Sequence, residues 1–313
     1  MSSSPMVCRF NSSRIALASW SGAPAFAAFS GKDTGTAGAR FLKLPPGARA
    51  AAMGEAFGGV HGDIAAIHYN PAGLASLPMR EAAFSHSEHL GFFRHDFLAY
   101  AQPLAGAGTL AASLNLLTQD SIGKVDNTGR ELGESFSPFD SALTLAYARS
   151  FGEWRAGMGA KYIRQVLEDE SASGFAADLG LQRSFGRAAA GLSMTNLGPG
   201  LRFRSVSDPL PLLLRLSGSW EASAGLLLAA DAGFPRDDEP FLRLGGEWRL
   251  QAGSRSLVLL RGGYRTETAG GLGALSGLSL GLGIGLGRWS SDFSFIPYGI
   301  LGESYRLSLG FRF

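Results

Sequence analysis

Tyr305-Arg306-Leu307-Ser308-Leu309-Gly310-Phe311-Arg312-Phe313 closes the chain. Tyr305, Leu307, Leu309, Phe311 and Phe313 are large and apolar, while the residues between them are polar or glycine. Alternation with a period of two is the pattern of a β-strand with one apolar and one polar face. Soluble domains tend to fray into polar termini. A barrel in a bilayer instead alternates lipid-facing with lumen-facing residues and gathers aromatics at its two interfaces. The competing reading is the edge strand of a soluble sandwich, so the rest of the chain has to decide.

Composition favours the barrel. Apolar residues make up 45% of the chain and mean hydropathy is +0.09, yet no run approaches the roughly 20 apolar residues of a spanning helix. Glycine is abundant, with 44 in 313 residues, and charged residues reach only 17%. Such values fit strands with one face against hydrocarbon and the other lining a crowded lumen.

Beyond residue 80 the sequence divides into about fourteen alternating segments. They lie near 80–88, 94–104, 108–118, 138–150, 153–166, 172–184, 187–197, 209–220, 224–233, 240–250, 255–265, 276–287, 288–296 and 304–313. Leu278, Leu280, Leu282, Ile284 and Leu286, for example, alternate with serine and four glycines. A helix would be destabilised by each of those glycines by about 1 kcal/mol relative to alanine. The connections alternate between long and short: 119–137, 198–208 and 266–275 are long, whereas Ala105-Gly106-Ala107, Phe151-Gly152, Phe185-Gly186 and Gly287-Arg288 are tight. Short periplasmic turns and longer external loops produce this parity in outer-membrane barrels, and a sandwich has no reason to keep it. The expected fold is an all-β antiparallel transmembrane barrel spanning 80–313, with both termini at the periplasmic side of a Gram-negative-type outer membrane.

Two segments precede the barrel. Residues 1–27 have the pattern of a signal peptide: Arg9 and Arg14, a mildly apolar stretch, then Ala25-Phe26-Ala27 as a small-x-small cleavage site. Cleavage there removes the single cysteine, Cys8, and leaves 26 basic against 26 acidic residues. Residues 28–79 do not read as strand. Ala48 to Phe57 is a helix-capable run after Pro45-Pro46, with Gly58-Gly59 available to end it. A second short helix fits Asp63 to Tyr69, with Asp63 as its cap. Asn70-Pro71-Ala72-Gly73 reads as a turn, because the residue before proline disfavours helix and Gly73 permits a positive φ.

These residues carry a specific resemblance. Gly47-Ala48-Arg49-Ala50-Ala51-Ala52-Met53-Gly54-Glu55-Ala56-Phe57, followed by Gly62-Asp63-Ile64-Ala65-Ala66-Ile67-His68-Tyr69-Asn70-Pro71-Ala72-Gly73-Leu74, is similar to the N-terminal signature of the PorV/PorQ family, related to the FadL group of fatty-acid transporters. The resemblance implies a fourteen-stranded barrel with a lumenal plug, whose motif positions are Arg49, Met53, Gly54, Asp63, Asn70, Pro71 and Gly73. The terminal strand ending in Phe313 also resembles the signal read by the barrel assembly machinery.

No catalytic constellation emerges, and no cofactor is implied. His86, His89 and His95 with Glu88 and Asp96 make a poor metal site, because His86 and His89 have opposite parity on a strand. Asp237-Asp238-Glu239 reads as solvated loop charge. A neutral mature chain without a basic, aromatic-laced stripe offers nothing to nucleic acid. The charges on the polar faces, Arg155, Lys161, Asp178, Arg215, Arg243, Glu247, Arg249, Arg306 and Arg312, read as a salt-bridge network that fills the lumen and anchors the plug. The sharper alternative is an electropositive lane for carboxylate ligands.

Two functions compete. A PorV-like barrel acts through interaction with a secreted or envelope protein, besides membrane lipid and the assembly machinery. A FadL-like barrel passes hydrophobic or amphipathic small molecules such as long-chain fatty acids. The one sizeable loop, 119–137, is polar and offers no apolar capture groove, so the first reading is preferred from sequence.

Overall fold

The computed structural model describes residues 35–126, 128–272 and 274–313; the signal-peptide reading of 1–27 and Cys8 lie outside them. Fourteen antiparallel strands close into one barrel. They are β1 (Glu81–His89), β2 (Phe93–Leu104), β3 (Gly108–Gln119), β4 (Phe139–Phe151), β5 (Trp154–Leu167), β6 (Glu170–Phe185), β7 (Ala188–Leu197), β8 (Leu213–Ser223), β9 (Leu226–Pro235), β10 (Phe241–Gln251), β11 (Ser256–Arg265), β12 (Leu278–Leu286), β13 (Trp289–Pro297) and β14 (Glu303–Arg312). Each pairs with its neighbours in sequence, and β1 pairs with β14 from Glu81↔Arg312 to His89↔Ser304. That seam leaves the barrel without an edge, which hydrocarbon demands because it offers no partner to a free N–H or C=O.

The alternation read from sequence becomes a sorting of faces. Leu98, Leu145, Met158, Leu244 and Leu280 are exposed on the outside, as are Leu307 and Leu309 on β14. The described tryptophans, Trp154, Trp220, Trp248 and Trp289, all lie outward beside the short turns, with Phe151 and Phe185 among them. Tyr162, Phe175 and Tyr305 face outward toward the opposite end. An apolar belt between aromatic girdles is the outer surface of a membrane barrel. No helix among the described residues is long and apolar enough to cross a membrane.

The connections depart from the sequence reading in two ways. At the long-loop end, 90–92 and 168–169 are as tight as the turns opposite, so the length parity holds for only part of the barrel. Two loops also contain their own hairpins, Ile122–Val125 with Glu131–Phe136 and Leu201–Phe203 with Val206–Asp208. A third holds a helix, α3 (Thr266–Leu272).

The plug enters the lumen at the long-loop end, where the Gly38 amide donates to the Pro209 carbonyl, 3.0 Å. It leaves at the short-turn end, where Arg80 accepts from the Phe313 amide, 3.1 Å. Its first helix, α1, is Ala48–Ala52, shorter than the predicted run to Phe57. Gly58 and Gly59 therefore do not end it; they rest on Ser217 and Gly218 of β8. The second, α2, is Ala66–Tyr69, and Asp63 Oδ1 accepts from the Ala65 amide just before it, 2.8 Å. The predicted turn at Asn70 is the start of a 3₁₀ helix, Pro71–Ser76, capped by Asn70 Oδ1 on the Ala72 amide. Gly73 sits inside that helix without the expected positive φ. What it supplies is space: a Cβ there would meet Ala66 Cβ and the Val60 carbonyl at 2.9 Å.

Glycines also shape the wall. Gly245, Gly263 and Gly281 on β10, β11 and β12 face the plug backbone at Ala52 to Gly54, and Gly157 and Gly180 on β5 and β6 face Asn70 to Ala72. At each of them a Cβ would collide with the plug. Gly54 itself adopts φ +62° against the Leu244 carbonyl and Tyr264 amide. We expect Gly263→Ala to unseat this part of the plug, raising protease cleavage near residue 54 while the barrel keeps its heat-resistant gel mobility. Gly285→Ala, whose Cβ meets nothing closer than 3.5 Å, serves as the control; equal cleavage of both would refute the packing argument.

Candidate functional site

The plug divides the lumen into two chambers and is bolted to the wall by buried ion pairs. Arg49 on α1 makes a two-pronged contact with Glu247 on β10, Nε to Oε2 at 2.7 Å and Nη2 to Oε1 at 2.8 Å. Its Nη1 reaches Asp63 at 2.8 Å, which folds the plug back on itself. Glu247 is fully buried and also accepts from Arg261 Nε (2.7 Å) and Arg249 Nε (2.8 Å). Arg261 continues the chain to Asp292, 2.7 Å. Burial opposes the charge on Arg49, but Glu247 and Asp63 more than offset it, so its proton is held more tightly than in a free guanidinium.

A second bolt runs the other way, from a carboxylate on the plug to arginines on the wall. Glu55, buried and at φ +62°, contacts Arg265 Nη1 at 2.6 Å and Arg243 Nη1 at 2.8 Å. A left-handed conformation is strained for a residue with a Cβ, and these two contacts hold it. Burial would raise the Glu55 pKa, but Arg243, Arg265 and Arg306 outweigh it and lower it. A third anchor is Asp231 on β9, whose Oδ2 accepts from the Phe57 and Gly58 amides at 3.1 and 3.0 Å. Asn70 donates to the carbonyls of Gly58, Leu181 and Leu192.

The motif residues therefore have distinct duties. Arg49 is the bolt and Asp63 its internal partner. Met53 is fully buried in a cluster with Phe57, Tyr69, Leu227 and Ala229. Gly54, Pro71 and Gly73 permit close packing, and Asn70 caps and ties. Among the wall charges, Lys161 Nζ lies 2.8 Å from Asp178 and 2.7 Å from Asn196. Asp178 also accepts from the Asn196 amide, fixing a register shift between β6 and β7. Arg155 donates to Gln182 and Ser76, and Arg215 stacks over the Tyr69 ring. Arg312 pairs with Glu81 at the short-turn rim.

The sequence reading passed over Glu55, Asp231, Arg261 and Arg265. A signal was available for Asp231, a lone acid inside Ala229-Ala230-Asp231-Ala232, and for Arg261 on the polar parity of β11. It also misjudged Asp237, which is buried and pairs with Lys43 of the plug at 2.7 Å. His86 points outward to Asp96 and Glu88, whereas His89 and His95 face the lumen. Among the described residues no group of histidine, cysteine or acids is arranged to hold a metal ion.

At the long-loop end a chamber of about 310 Å³ opens above the plug. Leu42, Leu44, Pro45, Leu213 and Phe241 give it an apolar side, and Glu55, His68, Arg243 and Arg265 form its polar floor. Arg265 uses Nη1 for Glu55, while its Nε and Nη2 have no protein partner; nor does His89 Nδ1. A second chamber, about 500 Å³, opens at the short-turn end between Arg49, His61, Glu81 and Arg312.

The closed antiparallel barrel of fourteen strands, with its N-terminal segment in the lumen, has a FadL-like fold. The fold is similar to that of the Ralstonia pickettii toluene transporter TbuX, at 13% identity and a TM-score of 0.58 over 85% of this chain and 98% of that one. The Pseudomonas putida toluene transporter TodX matches at 11% identity and 0.57, over 84% and 96%. A Pseudomonas aeruginosa FadL homologue matches at 11% and 0.53, over 86% and 98%. Residues 12–128 match an uncharacterised protein family, UPF0164. No curated protein matches the chain. The structural likeness is one of fold; the PorV/PorQ resemblance rests on the motif alone.

Two outcomes test the plug's attachment. Glu247→Gln removes the buried carboxylate that Arg49 and Arg261 share, leaving Arg49 only Asp63 and Arg261 only Asp292, and should cost about 3 kcal/mol, read by urea unfolding in micelles. Combined with Arg49→Met it should cost clearly less than the sum of the two single changes; simple additivity would mean the pair is uncoupled. The second concerns pH. His68 is held neutral because burial, then Lys161 and Arg215, lower its pKa. An unfolded histidine takes a proton near pH ~6.5, so the folded state loses stability as pH falls below that value. Glu55, with a lowered pKa, keeps its contribution across this window. His68→Gln should therefore reduce the fall in melting temperature between pH 7 and pH 5; an unchanged slope would assign the effect elsewhere.

Proposed function

We propose that the protein passes hydrophobic or amphipathic small molecules across an outer membrane, with its long loops external and its short turns periplasmic. The observation that carries this reading is the chamber on the plug: an apolar wall from Leu42, Leu44, Leu213 and Phe241 facing a floor that includes the part-unpaired Arg265. Concave, mostly apolar sites with a few convergent polar groups suit small ligands. The fold of the toluene transporters supports the same choice. It replaces the interaction role as first reading, although the polar 119–137 loop still argues against capture by an apolar funnel.

A molecule with a hydrocarbon body and an acidic or polar head fits the chamber best. Its head would compete with Glu55 for Arg265, which gives ligand and plug a shared partner. Leu213→Trp fills the apolar side without touching the ion pairs. In vesicles carrying the full-length barrel, we expect dodecanoate to enter faster than through lipid alone, and about tenfold more slowly with Leu213→Trp. Entry no faster than through bare lipid, or equal entry with the chamber filled, overturns the proposal. Stable co-purification with one secreted protein, with no small molecule taken up, would return the assignment to the PorV/PorQ type.

A further inference from the structure

The two ends of the barrel carry opposite charge. The short-turn end presents Arg80, Arg149, Arg183 and Arg255 on its outer rim against Glu153, and Arg187 and Arg288 at the lip of the mouth against Glu221. The long loops instead carry acid-rich stretches such as Asp237-Asp238-Glu239 and Glu168-Asp169-Glu170. The basic side chains are placed with aromatics. Arg187 and Arg288 occupy tight turns, directly after Phe185-Gly186 and directly before Trp289. Arg183 faces outward between the Trp154 and Phe185 rings, 5.1 and 4.9 Å from their centroids, and Arg149 lies over Phe151 at 5.5 Å. The pairings Phe151↔Trp154 and Trp154↔Arg183 make this one continuous patch across β4, β5 and β6.

We infer that this rim is a binding collar for the phosphate groups of acidic phospholipids in the adjoining leaflet. Aromatic rings settle at headgroup depth, and arginines beside them are held where lipid phosphates lie, with a planar fork that matches phosphate oxygens. An acidic protein docking into the mouth is the weaker fit. Most of the arginines that line the mouth are already paired, Arg49 and Arg249 with Glu247, Arg261 with Asp292, and Arg312 with Glu81, which leaves only Arg187 and Arg288 at its lip. Most of the unspent positive charge, on Arg80, Arg149, Arg183 and Arg255, lies on the outer rim beside the aromatic rings, where lipid is. Arg183 keeps one contact, to Glu153 at 3.2 Å, and its Nε has no protein partner.

The inference rests on the barrel reading, with the short turns at a phospholipid leaflet. The full-length protein is placed in nanodiscs of phosphatidylcholine with 30% phosphatidylglycerol, released into mild detergent, and the lipids retained are weighed by native mass spectrometry. Wild type should retain phosphatidylglycerol well above its share. Arg149→Gln with Arg183→Gln, Arg187→Gln and Arg288→Gln should bring the retained share of phosphatidylglycerol back to that of the mixture. The pair Arg187→Gln and Arg288→Gln alone, residues tied to neighbouring strands by their backbone carbonyls and not by their side chains, guards against a folding defect and should lower it partially. Retention in proportion to the mixture, or enrichment unchanged in both variants, overturns the collar while leaving the barrel intact. Tighter binding of poly-L-glutamate than of phosphatidylglycerol would also overturn it, in favour of an acidic protein. Failure to enter the nanodisc would sink the barrel reading itself.

Discussion

Hydrocarbon does not solvate peptide groups, and everything else in this molecule follows from that. A strand can cross oil only if both its edges are paired, so the pairing of β1 with β14 decides whether the other thirteen ladders are tolerable. Closure creates a second problem: an interior lined by the polar parity of every strand, too narrow to be left as bulk water and too charged to be left empty. The plug answers it. Its small residues fill the space and its amides and carboxylates meet the wall.

The plug is held by two kinds of contact whose energetics differ. Backbone against wall glycine is a matter of shape and tolerates no added atom. The ion pairs are matters of balance. Burying Glu247 among three arginines costs desolvation that only good geometry repays, and an apolar pair of equal volume can do as well. Such pairs nevertheless set which part of the plug meets which strand. Arg49 brings its charge to β10, whereas Glu55 brings the opposite charge to β10 and β11, so the plug cannot slide by one residue without breaking both. Specific seating, more than stability, is what this arrangement supplies.

Strand positions were legible because every strand carries its own alternation and most turns carry their own glycine. Hence Leu278 to Leu286 could be placed to within two residues. The Asn70-Pro71 punctuation likewise marked a real boundary. What could not be read was partnership. Nothing along one chain says that Arg49 will meet Glu247 across 198 residues, or that Glu55 will take a left-handed conformation to reach two arginines. Gly73 was misread because glycine serves two ends, backbone freedom and absence of volume, and only neighbours in space decide between them. The hairpins inside the loops escaped because three of their four strands, such as Leu201–Phe203, have only three or four residues and are too short to show a period.

The route of the plug has a consequence for how such a chain comes to be. Its segment around Gly38 lies among the long loops and its last lies beside Arg80, so it threads the whole lumen before the first strand begins. The strand that seals the wall is the last of the fourteen in chain order, and it zips onto the first. A stopper that crosses from end to end cannot be pushed in afterwards past folded loops. The interior must be furnished while the wall still has a gap, which makes the final seam a clasp shut over finished contents.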